Sequence, residues 1–162
     1  DQNDFIPAYE QLQQRENEFT TDDGREAFRI VLERHRFLAA MKTNMILGIE
    51  ASPFSWGYGF GAAARDITGA SVRGLLVQGE KNPVPWSSIQ PPQMLKLVDR
   101  YIDSRDITAR QRMEIAFGAA IYADLFGLSA RDRARHYASR AMDMGLNQRT
   151  FQQILEARWD DQ

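Results

Sequence analysis

The carboxylates of this chain are the side chains best suited to acid–base chemistry. Asp103 and Asp106 lie three positions apart in a predicted loop between helices, and a second group comprises Asp22, Asp23 and Glu26. A glycosidase-type reaction needs two carboxylates that face one cleft at a set separation. The spacing of Asp23 and Glu26 is also that of a helix capping box, which explains both residues without a reaction. A small hydrolase that uses Asp or Glu therefore stays as an alternative prediction.

Metal and nucleophile chemistry have less support in the composition. The chain has two histidines and no cysteine, so thiol nucleophiles, disulfides and zinc ribbons are excluded. We predict that His35 lies on the apolar face of a helix as a buried, neutral side chain with one partner, and that His136 is solvated among arginines. No nucleophile elbow, His-Glu-x-x-His motif or P-loop occurs. We predict no catalytic residue, no metal site and no cofactor.

A glycine-rich segment, Gly57-Tyr-Gly-Phe-Gly61, is superficially similar to a phosphate-binding loop, but the spacing to its third glycine is wrong. A dinucleotide loop needs a strand before it and a helix start after it, so that backbone N–H groups point at the phosphate. The preceding residues, Ser-Pro-Phe-Ser-Trp, do not fit that pattern. The alternation of glycines with Tyr58 and Phe60 instead predicts a strand packed closely against a helix. We predict no small-molecule ligand, and leave open any ligand of this segment.

Arginines concentrate in one predicted helix near the C-terminus, where Arg133 and Arg140 lie two turns apart on one side. Asp132 and Asp143 dilute this charge, so a solvated helix face is the simplest interpretation. The alternatives are a salt-bridged contact with an acidic partner, or RNA binding beside the β segment. The formal net charge of −2 gives no overall field toward nucleic acid, which is therefore not favoured.

The bulk composition predicts one globular domain. The chain has 162 residues, of which 43% are hydrophobic and 26% are charged. No run approaches the roughly 20 apolar residues of a membrane helix, and the longest candidate, Phe37 to Ile49, contains Lys42 and Asn44. The compartment is open, and the start at Asp1 without Met favours an extracytoplasmic location over a cytoplasmic one.

The periodicity of apolar residues predicts an α+β fold. We expect an N-terminal arm over 1–20, followed by a single globular domain over 21–162. A long helix should start at the Asp23 capping box. Apolar residues then recur at spacings of three and four positions, as on one face of a helix, and Ser52-Pro53 should end it. The expected elements are helix 25–49, a β unit over 54–89 with about three antiparallel strands near 56–65, 72–78 and 83–88, and helices 91–103, 108–126, 129–145 and 147–159.

A Trp between prolines marks the end of the β unit, in the sequence Pro83-Val-Pro-Trp-Ser. Proline has no N–H to donate to a sheet, so the last strand should lie at a sheet edge. Pro91 and Pro92 sit where the first turn of a helix needs no backbone donors. We therefore predict a rigid strand-to-helix corner with Trp86 packed beneath it.

The alanines of the last third, Ala134, Ala138 and Ala141, resemble the small-residue positions of a tetratricopeptide-type helical hairpin. Residues Pro85, Trp86, Ile89 and Pro91 are also similar to a corner found in accessory segments of planctomycete-type bacterial proteins. Together the resemblance covers about 72–157, and it implies a noncatalytic interaction module. The turn proline and a second repeat are missing, so at most one repeat-like hairpin is expected.

These observations favour a protein–protein interaction module or an accessory structural subunit of a larger bacterial assembly, or a homo-oligomer. Apolar residues near the two termini and exposed arginines are the contacts that such a partner would use. The predicted partner-binding residues are Phe5, Tyr9, Arg133, Arg140 and Trp159.

Overall fold

The computed structural model describes residues 3–57, 64–127 and 131–156. It has the α+β architecture that the sequence predicts. Helices flank a small antiparallel sheet, and short 3-10 turns at Glu16–Glu18 and Trp86–Ser88 join some of them. The elements are α1 (Phe5–Gln14), α2 (Asp22–Ala51), β1 (Phe54–Trp56), β2 (Arg65–Ser71), β3 (Gly74–Val77), β4 (Val84–Pro85), α3 (Pro91–Tyr101), α4 (Ala109–Leu125), α5 (Arg131–Asp143) and α6 (Gln148–Phe151), followed by a π-helical turn (Gln152–Glu156).

The long helix α2 starts earlier than its predicted capping box. The side chain of Thr21 accepts a hydrogen bond from the backbone N of Gly24 at 3.1 Å, so Thr21 is the N-cap. Asp23 is therefore inside the first turn, and its prediction as the cap was wrong. The reason is that Thr is also a good N-cap, while Asp is favourable in a first turn next to the positive end of the helix dipole.

The sheet has the order β1-β2-β3-β4 and is antiparallel throughout. Its strand boundaries differ from the predicted ones, because the β2–β3 hairpin turns at Val72 and Arg73, inside the predicted strand 72–78. Val72 and Arg73 carry no turn signal, whereas the connection between β3 and β4 contains Gly79 with a positive φ of 84°. Four strands are therefore described where about three were expected. Of the glycine-rich segment, Gly57 is described and Tyr58–Gly61 lie outside the described residues.

The core forms where α2 packs against α4. The close approach requires Gly118, because a Cβ there would lie 2.5 Å from Met41 Cβ and 2.7 Å from the carbonyl O of Phe37. Helix α4 also packs against α5, and alanines of these two helices are fully buried, including Ala116 and Ala120 of α4 and Ala134 and Ala138 of α5. The predicted alanine-rich helix pair is thus present, and its likeness to a tetratricopeptide hairpin stays a prediction.

The strand-to-helix corner has the predicted form. Val84 and Pro85 form the edge strand β4, and Pro91 opens α3. Trp86 lies beneath the corner with 2% of its surface exposed, and its Nε1 donates to the carbonyl O of Ser71 at 2.8 Å. Among the described helices, none is long and apolar enough to cross a membrane.

Candidate functional site

A buried polar network joins the N-terminus to the corner. Asn3 is 1% exposed, and its Nδ2 donates to the carbonyl oxygens of Trp86 at 2.9 Å and Ile89 at 3.0 Å. Its Oδ1 accepts a hydrogen bond from the hydroxyl of Tyr122 at 2.8 Å. Asn3 also has a φ of 66°, which Asn tolerates better than most residues. One amide side chain thereby satisfies three buried groups from two distant parts of the chain.

Lys42 completes this network from the middle of α2. Its Nζ donates to the carbonyl O of Asn3 at 2.9 Å and lies 3.7 Å from a carboxylate oxygen of Asp4. The ammonium also lies 5.4 Å from the ring centroid of Trp86, within the range of a cation–π contact. Burial lowers the pKa of Lys42, because the charged form loses its hydration, and the Asp4 carboxylate opposes that shift.

A shallow groove of about 380 Å³ runs between α1 and α2 and is named here the α1–α2 groove. Its apolar lining comes from Ile6, Tyr9 and the alanines Ala39 and Ala40. Polar side chains surround this lining, among them Glu10, Gln13, Arg36, Thr43, Asn44 and Glu114. Glu114 is itself engaged, because it accepts a hydrogen bond from Asn44 Nδ2 at 2.9 Å and pairs with Arg110 at 3.2 Å. Glu10 is exposed at the edge of the groove.

The predicted N-terminal contact residues occupy different environments. Within the predicted arm, Phe5–Gln14 form α1, which packs on α2. Phe5 is 9% exposed, and its ring meets Tyr122 edge to face at 5.8 Å, so this side chain belongs to the core of its own chain. Tyr9 is half-buried, lines the α1–α2 groove and has its hydroxyl 3.1 Å from Gln13 Nε2. Trp159 lies outside the described residues.

The predicted arginine contacts lie on α5 beside the end of α3. Arg140 forms an ion pair with Asp103, and the hydroxyl of Tyr137 donates to Asp99 at 2.6 Å. Burial raises the pKa of Tyr137, while the positive charges of Arg133 and Arg140 oppose that shift. Arg133 is exposed. Arg140 thus already has an acidic partner within the chain, and this contact accounts for its position.

Asp103 and Asp106, the first carboxylates considered for acid–base chemistry, are both engaged by other side chains. Asp103 pairs with Arg140, and Asp106 lies 3.3 Å from the hydroxyl of Ser104 in the loop before α4. Within the part of the chain that the structure describes, no group of three or more His, Cys, Asp or Glu side chains is placed to hold a metal ion. His136 is exposed, as predicted, and His35 is half-buried with its Nδ1 2.9 Å from the carbonyl O of Val31.

Sequence reasoning missed Asn3 and Lys42 as members of a buried polar network, and Asn3 makes the longest-range polar contacts described above. The one available signal was Lys42 itself, since a charge within the apolar run from Phe37 to Ile49 breaks the pattern of a buried helix. Buried lysines require a partner or an altered pKa. Nothing in the sequence near Asn3 identifies that partner.

No family model matches the chain, and comparisons with curated proteins and with solved structures found no match.

Proposed function

We propose that this chain is a noncatalytic protein–protein interaction module, an accessory subunit of a larger bacterial assembly, and that the α1–α2 groove is its partner-binding site. The observation that supports this proposal is the combination of an open apolar groove with Tyr9 in its wall. Tyr combines a large apolar ring with a polar hydroxyl, and it is enriched where proteins contact one another.

The floor of the groove suits a helical or extended segment of a partner. Ala39 and Ala40 have small side chains, so an incoming side chain can approach the backbone of α2 closely. Ile6 and Tyr9 provide one apolar wall for it. This arrangement corresponds to the helix-in-groove mode, in which a few apolar anchors supply most of the affinity.

The charges at the groove edge specify the partner further. Glu10 is exposed there, whereas the guanidinium of Arg36 pairs with Glu33 at 3.0 Å. Among the described residues, no hydrogen bond or ion pair engages Glu10, so this acidic group is available to a partner, whereas Arg36 is already paired. We expect a partner segment with an apolar face and a Lys or Arg placed to meet Glu10, since complementary charge mainly raises association rate and specificity.

Ala40→Arg tests the proposal because the long side chain would fill the groove. The matched control is Ala27→Arg, which makes the same change at an exposed position of the same helix. Wild type and both variants would be used for quantitative affinity capture from the native extract, and for light scattering over a range of concentrations to detect self-association. We expect Ala40→Arg to weaken the captured complex by about tenfold or more and Ala27→Arg to leave it unchanged.

Two outcomes would contradict the proposal, and they are distinguishable. Equal capture by Ala40→Arg and Ala27→Arg would place the contact elsewhere and reject the groove. A wild-type chain that stays monomeric and forms no saturable complex would reject the interaction function itself.

A further inference from the structure

A second cavity, of about 340 Å³, lies where the start of α1 meets the tip of the β2–β3 hairpin and the corner after β4. It is named here the hairpin-tip cavity. Its apolar walls include Pro7, Val72 and Pro85, and its two charged side chains are Asp4 and Arg73. Small-molecule sites have this size and this combination of apolar walls with a few polar groups.

The side chain of Asp4 is not used as a helix cap. Asp4 occupies the N-cap position of α1, but its carboxylate accepts no capping hydrogen bond. Asp is among the best N-cap residues, and an N-cap hydrogen bond contributes about 1 kcal/mol. The carboxylate instead lies 3.7 Å from Lys42 Nζ on its buried side and lines the cavity with 44% of the side chain exposed. The lysine thus holds Asp4 at the cavity wall.

The hairpin tip also departs from ordinary turn chemistry. Two-residue hairpin loops favour Asn-Gly or Gly-containing pairs, because their usual turns need positive φ angles. This loop is Val72-Arg73, and neither residue has a positive φ. The side chain of Ser71 supports the turn by accepting a hydrogen bond from the N of Arg73 at 3.3 Å. A half-exposed Val at this position is not explained by the turn.

Arg73 is the cation available at this cavity. Across residues 3–57, 64–127 and 131–156, no ion pair or hydrogen bond involves its guanidinium. A guanidinium binds a carboxylate through two parallel N–H donors. Asp4 supplies the opposite charge. The cavity therefore has a carboxylate that can accept hydrogen bonds from an ammonium group, and a guanidinium that can donate hydrogen bonds to a carboxylate.

We propose that the hairpin-tip cavity binds a small zwitterion with an apolar side chain, namely an amino acid or a dipeptide. Its ammonium group pairs with Asp4, its carboxylate pairs with Arg73, and its side chain packs against Pro7, Val72 and Pro85. The sequence predicted no small-molecule ligand, and this site is separate from the α1–α2 groove.

Calorimetric titration with four probes tests this assignment. The probes are L-leucine, the dipeptide leucyl-alanine, L-leucinamide, which lacks the carboxylate, and N-acetyl-L-leucine, which lacks the ammonium group. We expect saturable binding of leucine or leucyl-alanine, and binding of each singly charged analogue that is at least about tenfold weaker. If leucine binds more tightly than leucyl-alanine, the ligand class is a free amino acid, and the reverse order indicates a dipeptide.

Two variants assign the charges to their residues. Arg73→Gln should abolish the preference for leucine over leucinamide, and Asp4→Asn should abolish the preference over N-acetyl-leucine. Arg105→Gln, at an exposed loop position, is the control and should bind as wild type does. If Asp4→Asn unfolds because Lys42 loses its ion pair, Arg73→Gln at the exposed tip still decides the question.

The proposal is overturned if none of the four probes binds saturably up to about 10 mM, the weak limit for a small specific site. It is also overturned if leucine binds and Arg73→Gln leaves both its affinity and the preference over leucinamide unchanged.

Discussion

The hydroxyl of Tyr122 donates a hydrogen bond to Oδ1 of Asn3 at 2.8 Å, across 119 positions of the chain. Both residues are almost completely buried, at 0% and 1% exposed. The same Asn3 side chain donates to two carbonyl oxygens of the corner before α3. The start of the chain is therefore joined to α4 and to the corner through a single amide, and this contact governs the first prediction.

Asn3→Ala should destabilise the protein by about 2–4 kcal/mol, because it leaves the Tyr122 hydroxyl and the carbonyl of Ile89 buried without their partner. The carbonyl O of Trp86 keeps its hydrogen bond from the N of Ile89 at 3.1 Å. The positive φ of Asn3 adds strain for alanine. Urea denaturation followed by circular dichroism measures the loss. Asn82→Ala, at an exposed turn position, is the control and should change stability by less than about 0.5 kcal/mol. A loss equally small in Asn3→Ala would show that the network contributes little.

Lys42→Met should remove a pH dependence of stability. Burial lowers the pKa of Lys42 below its ordinary value of 10.5, so between the folded pKa and 10.5 the unfolded chain binds more protons than the folded one. The free energy of unfolding contributed by Lys42 therefore rises with pH through that window and is constant below it.

The measurement is urea unfolding of wild type and Lys42→Met between pH 7 and pH 10. Higher pH is avoided because burial raises the pKa of Tyr122 in the folded protein. Above pH 10 the tyrosine of the unfolded chain loses its proton first, so the free energy of unfolding falls as pH rises further. We expect the difference in stability between wild type and variant to shift in favour of wild type as pH rises. A difference that is independent of pH would show that Lys42 stays charged throughout.

Gly118→Ala should destabilise the protein, although alanine is the better helix former by about 1 kcal/mol. The new Cβ would meet the backbone O of Phe37 at 2.7 Å, and backbone atoms cannot move aside as a flexible side chain can. We expect a net loss of about 1–3 kcal/mol in thermal unfolding, as in other overpacked cores. Ser139→Ala, on the exposed face of α5, serves as the control and should be neutral. A stabilised Gly118→Ala would mean that α2 and α4 can separate at little cost.

The Arg140–Asp103 ion pair should contribute little to stability. The side chains are 26% and 68% exposed, and water screens an exposed pair to about 0.2–1 kcal/mol. A double-mutant cycle of Arg140→Ala and Asp103→Ala, read by urea denaturation, gives the coupling energy directly. A coupling well above about 1 kcal/mol would assign Arg140 a larger structural role. If a partner binds at α5 through Arg140, Asp103→Ala should strengthen that binding, because it releases the guanidinium.

Local signals determined the α+β class and most of the helices. Helix α4 begins within one residue of the start of the predicted helix 108–126, and Thr108 caps it, with its hydroxyl accepting from the N of Gln111 and the Gln111 side chain accepting from the N of Thr108. Pro91 starts α3, and the proline-containing β4 lies at the sheet edge. Caps, prolines and apolar spacing act within a few residues, so the sequence alone contains the physical cause of each of these features.

Tertiary structure alone decided which side chains meet across the chain. Asn3 has no local reason to be buried, and only the approach of α4 and the corner gives it three partners. Asp4, beside the start of α1, and Arg73, at a hairpin tip, line one cavity because the sheet packs against the helices, and Lys42 from the middle of α2 pairs with Asp4. Contacts of this kind depend on how whole elements pack, because distant residues are brought together only after the core has formed.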